Sequence, residues 1–418
     1  RWLNLMVRGD MKKPLLKSQL KALVVAEFMV ILATSLSLPF WPVILKQYTH
    51  NPHSLHFWSM LVYALPLGAT MLTAPFWGSF ADRLGYKKMV LRASLGLCVT
   101  QALLCFATSP IWICACVLLQ GVFCGFIASA QALGVRLSGS GKSTKVLGSL
   151  QSAVALGTLI GPLVGAMVLN RLPFQVIFAL SALMCLLASL LIVFKTTEPV
   201  REGLKKGEAS YQRSEQFSLY TKLCFVSVFV SQLARYMIMP VFALFVLHQL
   251  HGSLQSVGVL FAASGLGVFV FSPLVSRHKP TFFKRETCVV GALVMAAVLQ
   301  LLLALSGKVW EASILRFLWG FSLAVILPFL YALAVDVSAS SRHGRVIGFA
   351  NAACKLGNLI GILAGGLLIQ FVSLKMLFVL IAFVYLANAL FTLLLQPVSK
   401  LMHLNQQRSP HEQSLESR

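Results

Sequence analysis

Residues 173–194 read PFQVIFALSALMCLLASLLIVF, with no charged residue anywhere in the stretch. About 20 apolar residues in a helix cross the hydrocarbon of a bilayer. Runs like this one recur along the 418-residue chain, which is 58% hydrophobic and 11% charged. Its mean hydropathy is +0.82. Soluble domains carry about 25% charge, so too little charge is available here to solvate a globular surface. An ordinary soluble enzyme, a disordered chain and a disulfide scaffold are excluded together. In lipid each backbone polar group must bond inside its own segment or a closed barrel. Barrel strands alternate apolar and polar residues, and these runs are continuous. The expected class is therefore an all-α membrane protein.

Working outward from that stretch gives twelve expected transmembrane helices. They cover 20–45, 56–80, 88–107, 110–135, 146–170, 173–194, 221–247, 254–275, 287–306, 309–335, 345–371 and 374–396. One connection is long and polar, from Lys195 to about Tyr220. The expected organisation is a six-helix bundle over 1–194, a linker over 195–220, a second six-helix bundle over 221–397 and a tail over 398–418.

The net charge of +23 would suggest nucleic acid in a soluble protein. Its distribution says otherwise. Of the 35 lysines and arginines, only Lys46, Arg171, Lys308 and Lys375 fall on one side of the expected membrane. Arg235, Arg316 and Lys355 fall inside spans, and all the others fall on the opposite side. The positive-inside rule then places both termini and the linker in the cytoplasm. The excess serves topology and anionic lipid heads, and no nucleic-acid partner is expected. The nine cysteines read as small buried hydrophobes.

The two halves repeat at a shift of 198–200 residues. Gly148, Gly157, Gly161, Pro162 and Gly165 in span 5 are answered by Gly348, Gly357, Gly361 and Gly365 in span 11. Pro42 pairs with Pro240, Pro75 with Pro273, and His50 and His53 with His248 and His251. Parallel six-span repeats with the substrate site near the midplane are an architecture of secondary transporters. Two pseudo-symmetric bundles rocking about that site give alternating access.

The loop after span 2 runs Gly78-Ser-Phe-Ala-Asp82-Arg83-Leu-Gly85-Tyr-Lys87-Lys88, with Arg92 four residues on. It resembles the cytoplasmic signature G-x-L-a-D-r-x-G-r-k of the major facilitator superfamily. Physically, Gly78 and Gly85 allow a tight turn and close helix approach. Asp82 suits the positive N-terminus of a helix in the other half, and Lys87, Lys88 and Arg92 can pair with it. The loop thus reads as a cytoplasmic latch. The span 5 ladder resembles that superfamily's antiporter motif, with Ala166 in place of the last glycine. The resemblance implies export by exchange, whereas the residues alone require only a small-residue packing seam. The stretch Pro75 to Gly96, together with Pro39-Phe-Trp-Pro42, most resembles bacterial twelve-span drug/proton antiporters. A third motif, R-x-x-q-G in span 4, is incomplete: Gln120-Gly121 is present but Val117 stands at the arginine position.

Glu27 reads as the only carboxylate deep in a span. Such a charge is expensive at depth and suits a proton or a cationic substrate. Arg235, Arg316 and Lys355 are the remaining deep charges and are expected to line the pathway. Asp336 reads as a gate or packing charge. The histidines read as interfacial polar residues, so no metal is expected, nor any other cofactor. The stretch Ser138 to Thr144 has Arg136 where a phosphate loop needs its first glycine. No nucleotide site or enzyme activity is expected.

The expected protein is a monomeric exporter in a bacterial inner membrane, moving hydrophobic drugs or a siderophore-like metabolite by proton antiport. Its partners are the small-molecule substrate, protons and membrane lipids. The alternative is a proton-coupled importer of an amino acid or organic anion on the same fold.

Overall fold

The computed structural model describes residues 12–138, 143–198, 217–277, 281–338 and 342–394. Among them the regular structure is helical throughout. In chain order the helices are α1 (Lys12–Leu36), α2 (Trp41–Leu45), α3 (Pro52–Leu84), α4 (Tyr86–Leu104) and α5 (Pro110–Phe123). Next come α6 (Phe126–Ser138), α7 (Ser143–Leu169), α8 (Phe174–Lys195), α9 (Leu219–Tyr236) and α10 (Phe242–His248). The last five are α11 (Leu254–Arg277), α12 (Phe282–Leu305), α13 (Val309–Asp336), α14 (His343–Leu368) and α15 (Leu374–Leu394). Most of the expected linker, all of the expected tail and residues 139–142 lie outside the described residues.

Ten of these segments are long and apolar enough to cross a membrane. The two expected spans that fall short of that criterion are the third and the seventh. The first turns of α4 carry Lys87, Lys88 and Arg92, and α9 stops at Tyr236 after 18 residues. Three expected spans are broken rather than continuous. Span 1 is interrupted by a 3-10 turn over Leu38–Phe40 that contains Pro39. Span 7 breaks between Tyr236 and Phe242 around Pro240. Span 4 breaks at Cys124 and Gly125, where Gly125 takes φ +111°, a conformation open mainly to glycine.

Helix starts follow capping chemistry. Asn51 Oδ1 accepts from the His53 amide at 2.9 Å, Ser109 Oγ from the Trp112 amide at 3.2 Å and Ser218 Oγ from the Thr221 amide at 3.1 Å. Pro52 and Pro110 occupy first-turn positions, where the missing N–H costs nothing.

The chain divides into two compact units. One holds Arg1–Ala209 with Pro240–Gly265, and the other holds Ser210–Met239 with Leu266–Arg418. Within the first unit, α1 packs on α7 and α8, and α4 packs on α8. Within the second, α9 packs on α14 and α15, and α12 packs on α15. These are corresponding helices of the repeat.

The glycine ladders are the seams of that packing. A Cβ on Gly157 would sit 2.9 Å from Ile31 Cγ2, one on Gly161 2.5 Å from Ser35 Cβ, and one on Gly165 2.0 Å from the Leu36 carbonyl oxygen. In the second unit, Gly357, Gly361 and Gly365 meet the carbonyl oxygens of Phe229, Leu233 and Met237 at 2.4, 2.4 and 1.7 Å. No side chain fits there. Gly148 and Gly348, the first rungs of both ladders, face open space. Pro162 lies inside α7, which runs on through it.

Candidate functional site

Glu27 lies on α1, one helical turn from Leu23 and one from Ile31. Leu23 is among the nearest neighbours of a Cβ built on Gly134 of α6, and Ile31 fills the same place for Gly157 of α7. Residues four apart share a helix face, so Glu27 belongs to the face of α1 turned toward α6 and α7. It is 0% exposed, and neither carboxylate oxygen has a hydrogen-bond partner among the described residues. Pairing with Lys21 is not made, and Lys21 is exposed. An isolated carboxylate in such a place costs several kcal/mol if it stays charged. A proton or a cationic ligand relieves that cost.

The signature loop makes contacts within the first unit, at the end of α8. The Asp82 side chain lies outside the described residues. Gly78 has no described heavy atom within 4 Å of a built Cβ. Gly85 is demanded twice. Its φ is +101°, and a Cβ would lie 2.6 Å from Glu198 Oε1. Glu198 accepts from the backbone amides of Tyr86 and Lys87, each at 2.9 Å, and so caps α4. In return Lys87 Nζ donates to the carbonyls of Val193 and Thr196 at the end of α8. A carboxylate on a helix N-terminus and an ammonium on a C-terminus each complement the helix dipole. Arg136 lies over the Tyr86 ring at 4.4 Å, while Arg83 and Lys88 are exposed. Sequence reasoning placed Glu198 in the linker and missed this role. Its signal was an acidic residue four positions after the sixth apolar run.

Arg92 makes contacts that the sequence did not anticipate. It stacks on Trp77 at 3.6 Å from the ring centre and donates from Nη2 to the Cys124 carbonyl at 3.0 Å. Trp77 Nε1 donates to the Val122 carbonyl at 2.7 Å. The two side chains thus satisfy carbonyls that the break in span 4 frees. A cavity of about 300 Å³ beside them is lined by Thr70, Trp77, Gly125 and Ser129 among others. Val117, at the incomplete arginine motif, is buried, and Arg92 brings a guanidinium to the same span from the neighbouring helix.

In the second unit the charges gather differently. Arg316 is 5% exposed and lies 4.8 Å from the centre of the Trp319 ring. Arg235, half-buried on α9, lies 5.7 Å from the Tyr236 ring centre. Lys355 is exposed on α14. Glu27 is not the only buried carboxylate. Glu286, 1% exposed, accepts from the Tyr220 hydroxyl. It lies one residue before the expected ninth span, in the first turns of α12. Asp336 pairs with Arg285.

His50, His53, His248 and His251 are exposed. No cluster of three or more His, Cys, Asp or Glu side chains able to hold a metal occurs among the described residues.

The family model described as Major Facilitator Superfamily matches residues 23–222 and 224–416. The chain belongs to the major facilitator superfamily. Relatives within it include the multidrug resistance protein MdtG of Citrobacter koseri, 28% identical over 369 residues, covering 86% of this chain and 90% of that one. The multi-drug resistance efflux pump PmrA homolog of Lactococcus lactis is 28% identical over 349 residues, covering 82% and 85%. A bacterial homolog of the human lysosomal transporter Spinster, in an inward-facing and occupied conformation, shares the fold. Its TM-score is 0.70 at 13% identity, over 90% of this chain and 95% of that one. Members of this superfamily are multi-pass transporters of small molecules, so the fold and the broad activity expected from the sequence both stand. Within the major facilitator frame, the ladder residues Gly157, Gly161 and Gly165 are packing positions on α1, and Glu27 is the unpaired carboxylate beside them.

Proposed function

We propose that this transporter exports hydrophobic small organic molecules across the cytoplasmic membrane in exchange for protons, with both termini inside. The observation that carries the reading is Glu27, a carboxylate sealed on α1 with no hydrogen bond or ion pair among the described residues. One carboxyl group that must be balanced by either a proton or a cationic solute makes the two ligands compete. Competition at a single group, combined with alternating exposure of the two sides, is exchange. The two repeats supply the halves that rock about the site. The multidrug names of the relatives favour drugs over a siderophore-like metabolite, and favour export over import.

The test uses purified protein in liposomes with a fluorescent lipophilic cation as probe. An imposed pH gradient should drive uptake of the dye against its own gradient. Linked ligands typically alter each other's binding by about 5–150-fold, so Glu27→Gln should reduce gradient-driven movement at least about tenfold while the protein stays folded. The reading is overturned if the gradient moves no dye, or if Glu27→Gln retains full coupling.

A further inference from the structure

The second unit holds a cavity whose repeat mate is largely filled. It measures about 530 Å³, with Leu274 and Val275 of α11, Cys288 and Gly291 of α12, and Phe321 and Phe329 of α13 on its walls. Among the described residues no charged side chain lines it. The repeat shift carries Trp77 to Val275 and Arg92 to Gly291. In the first unit Trp77 and Arg92, stacked on each other, line the corresponding cleft, where about 300 Å³ remains. In the second unit both positions are small and the space stays open. A Cβ built on Gly291 has no described heavy atom within 4 Å.

The cavity opens onto the side of the bundle. Cys288 and Gly291 are exposed, as are Val294, Val298 and Leu302 further along α12. Steps of three or four residues put them on one helix face. An exposed apolar face on a spanning helix is matched by lipid tails, which are as apolar as leucine. One end of the cavity is basic. Arg277 follows Leu274 by three residues on α11, about 4.5 Å along the axis. It is exposed and makes no hydrogen bond or ion pair among the described residues. Arg285 precedes Cys288 by the same step on α12, and its charge is met by Asp336. That pair is neutral, so Arg277 leaves net positive charge at this end.

We infer that this cavity binds an anionic phospholipid of the surrounding bilayer, with one acyl chain between α11, α12 and α13 and the phosphate at Arg277. The chain supplies the dispersion contacts that an open slot forfeits, and the arginine attracts the anionic head. The charge at the end selects an anionic lipid over a neutral one, and the uncharged walls select a chain over a free anion. The site makes no use of Glu27 and goes beyond the transport reading.

The experiment uses the purified full-length protein, delipidated in a neutral detergent. Dioleoyl phosphatidylglycerol, dioleoyl phosphatidylcholine, sodium glycerophosphate and tetraphenylphosphonium chloride are titrated separately, and thermal unfolding is followed. Phosphatidylglycerol should raise the unfolding temperature at lower concentration than phosphatidylcholine. Its apparent affinity should fall about fivefold in Arg277→Gln, the worth of one arginine near an anionic head. It should fall at least about tenfold in Gly291→Phe, whose ring takes the place of the chain. Val275→Trp, which restores the indole of the first unit, is a second plug with the same expected loss. The inference is overturned if phosphatidylcholine binds as tightly, if Arg277→Gln binds like the parent, or if both plugs do. It falls equally if glycerophosphate alone gives the full shift, which would assign the basic end to free phosphate. A shift with tetraphenylphosphonium that Gly291→Phe abolishes would assign the cavity to a cationic solute and sink the lipid.

Discussion

The seam between α1 and α7 and the seam between α9 and α14 are built alike and charged unlike. In both, glycines at the same spacing bring one helix onto the backbone of the other, ending on the Leu36 carbonyl in one unit and the Met237 carbonyl in the other. Beside the first seam lies a carboxylate, Glu27, and within the second an arginine, Arg235. They are not repeat mates: the 198-residue shift carries Glu27 to Phe225 and Arg235 to Ser37. The duplication therefore kept the backbone contact and let the chemistry diverge. Close helix packing tolerates no side chain at these glycines, while a charged group can sit at any nearby position that a ligand reaches.

The largest way to break the likeness is to fill both seams. Gly165→Leu and Gly365→Leu put a side chain where a backbone oxygen already lies within 2.0 and 1.7 Å of a Cβ. Overpacking costs about 1–3 kcal/mol, occasionally more, and backbone cannot rotate aside as a side chain does. Both variants should lose most of their monodisperse fraction on size-exclusion chromatography. Gly148→Ala and Gly348→Ala meet open space and should elute like the parent. Equal behaviour of all four would show that the ladders are not seams.

A smaller effect separates the two units at their basic ends. In the first, Glu198 caps α4 while Lys87 caps α8. In the second, the corresponding helix α12 begins at Thr281, which makes no side-chain cap bond. Losing a cap costs about 0.5–2 kcal/mol, so Glu198→Ala and Lys87→Met should each lower the unfolding temperature. Thr281→Ala should leave it almost unchanged. Because Glu198 and Lys87 join the same two helices, the double variant should lose less than the two single losses together. A strictly additive result would mean that the two caps act independently.

Much of this was legible in the residues. Continuous apolar runs, one-sided basic charge and the nine-four-four glycine spacing are periodic signals, and they yielded the helices, the repeat and the family. The broken spans were only half legible. Pro39 and Pro240 announce two of the breaks, but Gly125 looks like any small residue in an apolar run until its φ is known. The partners of charges were not legible, because they are set by which helices touch. Arg92 was read with Asp82 because the two are close in sequence, and nothing in the residues announced its bond to the Cys124 carbonyl, 32 residues away. Glu286 stands one residue outside an apolar run, and only packing shows that it is buried against Tyr220.

The smallest predicted effect concerns the histidine repeat. His248 ends α10, just past the expected seventh span, and its Nε2 accepts from Lys46 Nζ of the first unit at 3.5 Å. Partial burial, and then the Lys46 charge, hold its pKa below the ordinary value. The ordinary value is about 6.5. A base with a depressed pKa in the folded state takes up its proton later than it does in the unfolded chain. Between the two values the unfolded state binds more protons, so stability falls as pH falls. The contribution is complete above about 6.5 and is lost as pH drops through the folded value, since imidazolium can no longer accept from the ammonium and instead repels it. Thermal unfolding of the purified protein should therefore show a shallow loss on acidification from neutral pH. His248→Gln should flatten it, because an amide oxygen accepts at every pH. Lys46→Met should shrink it without removing it, since burial remains. An unchanged slope in His248→Gln would assign the acid sensitivity to another group and leave the contact between α2 and α10 indifferent to pH.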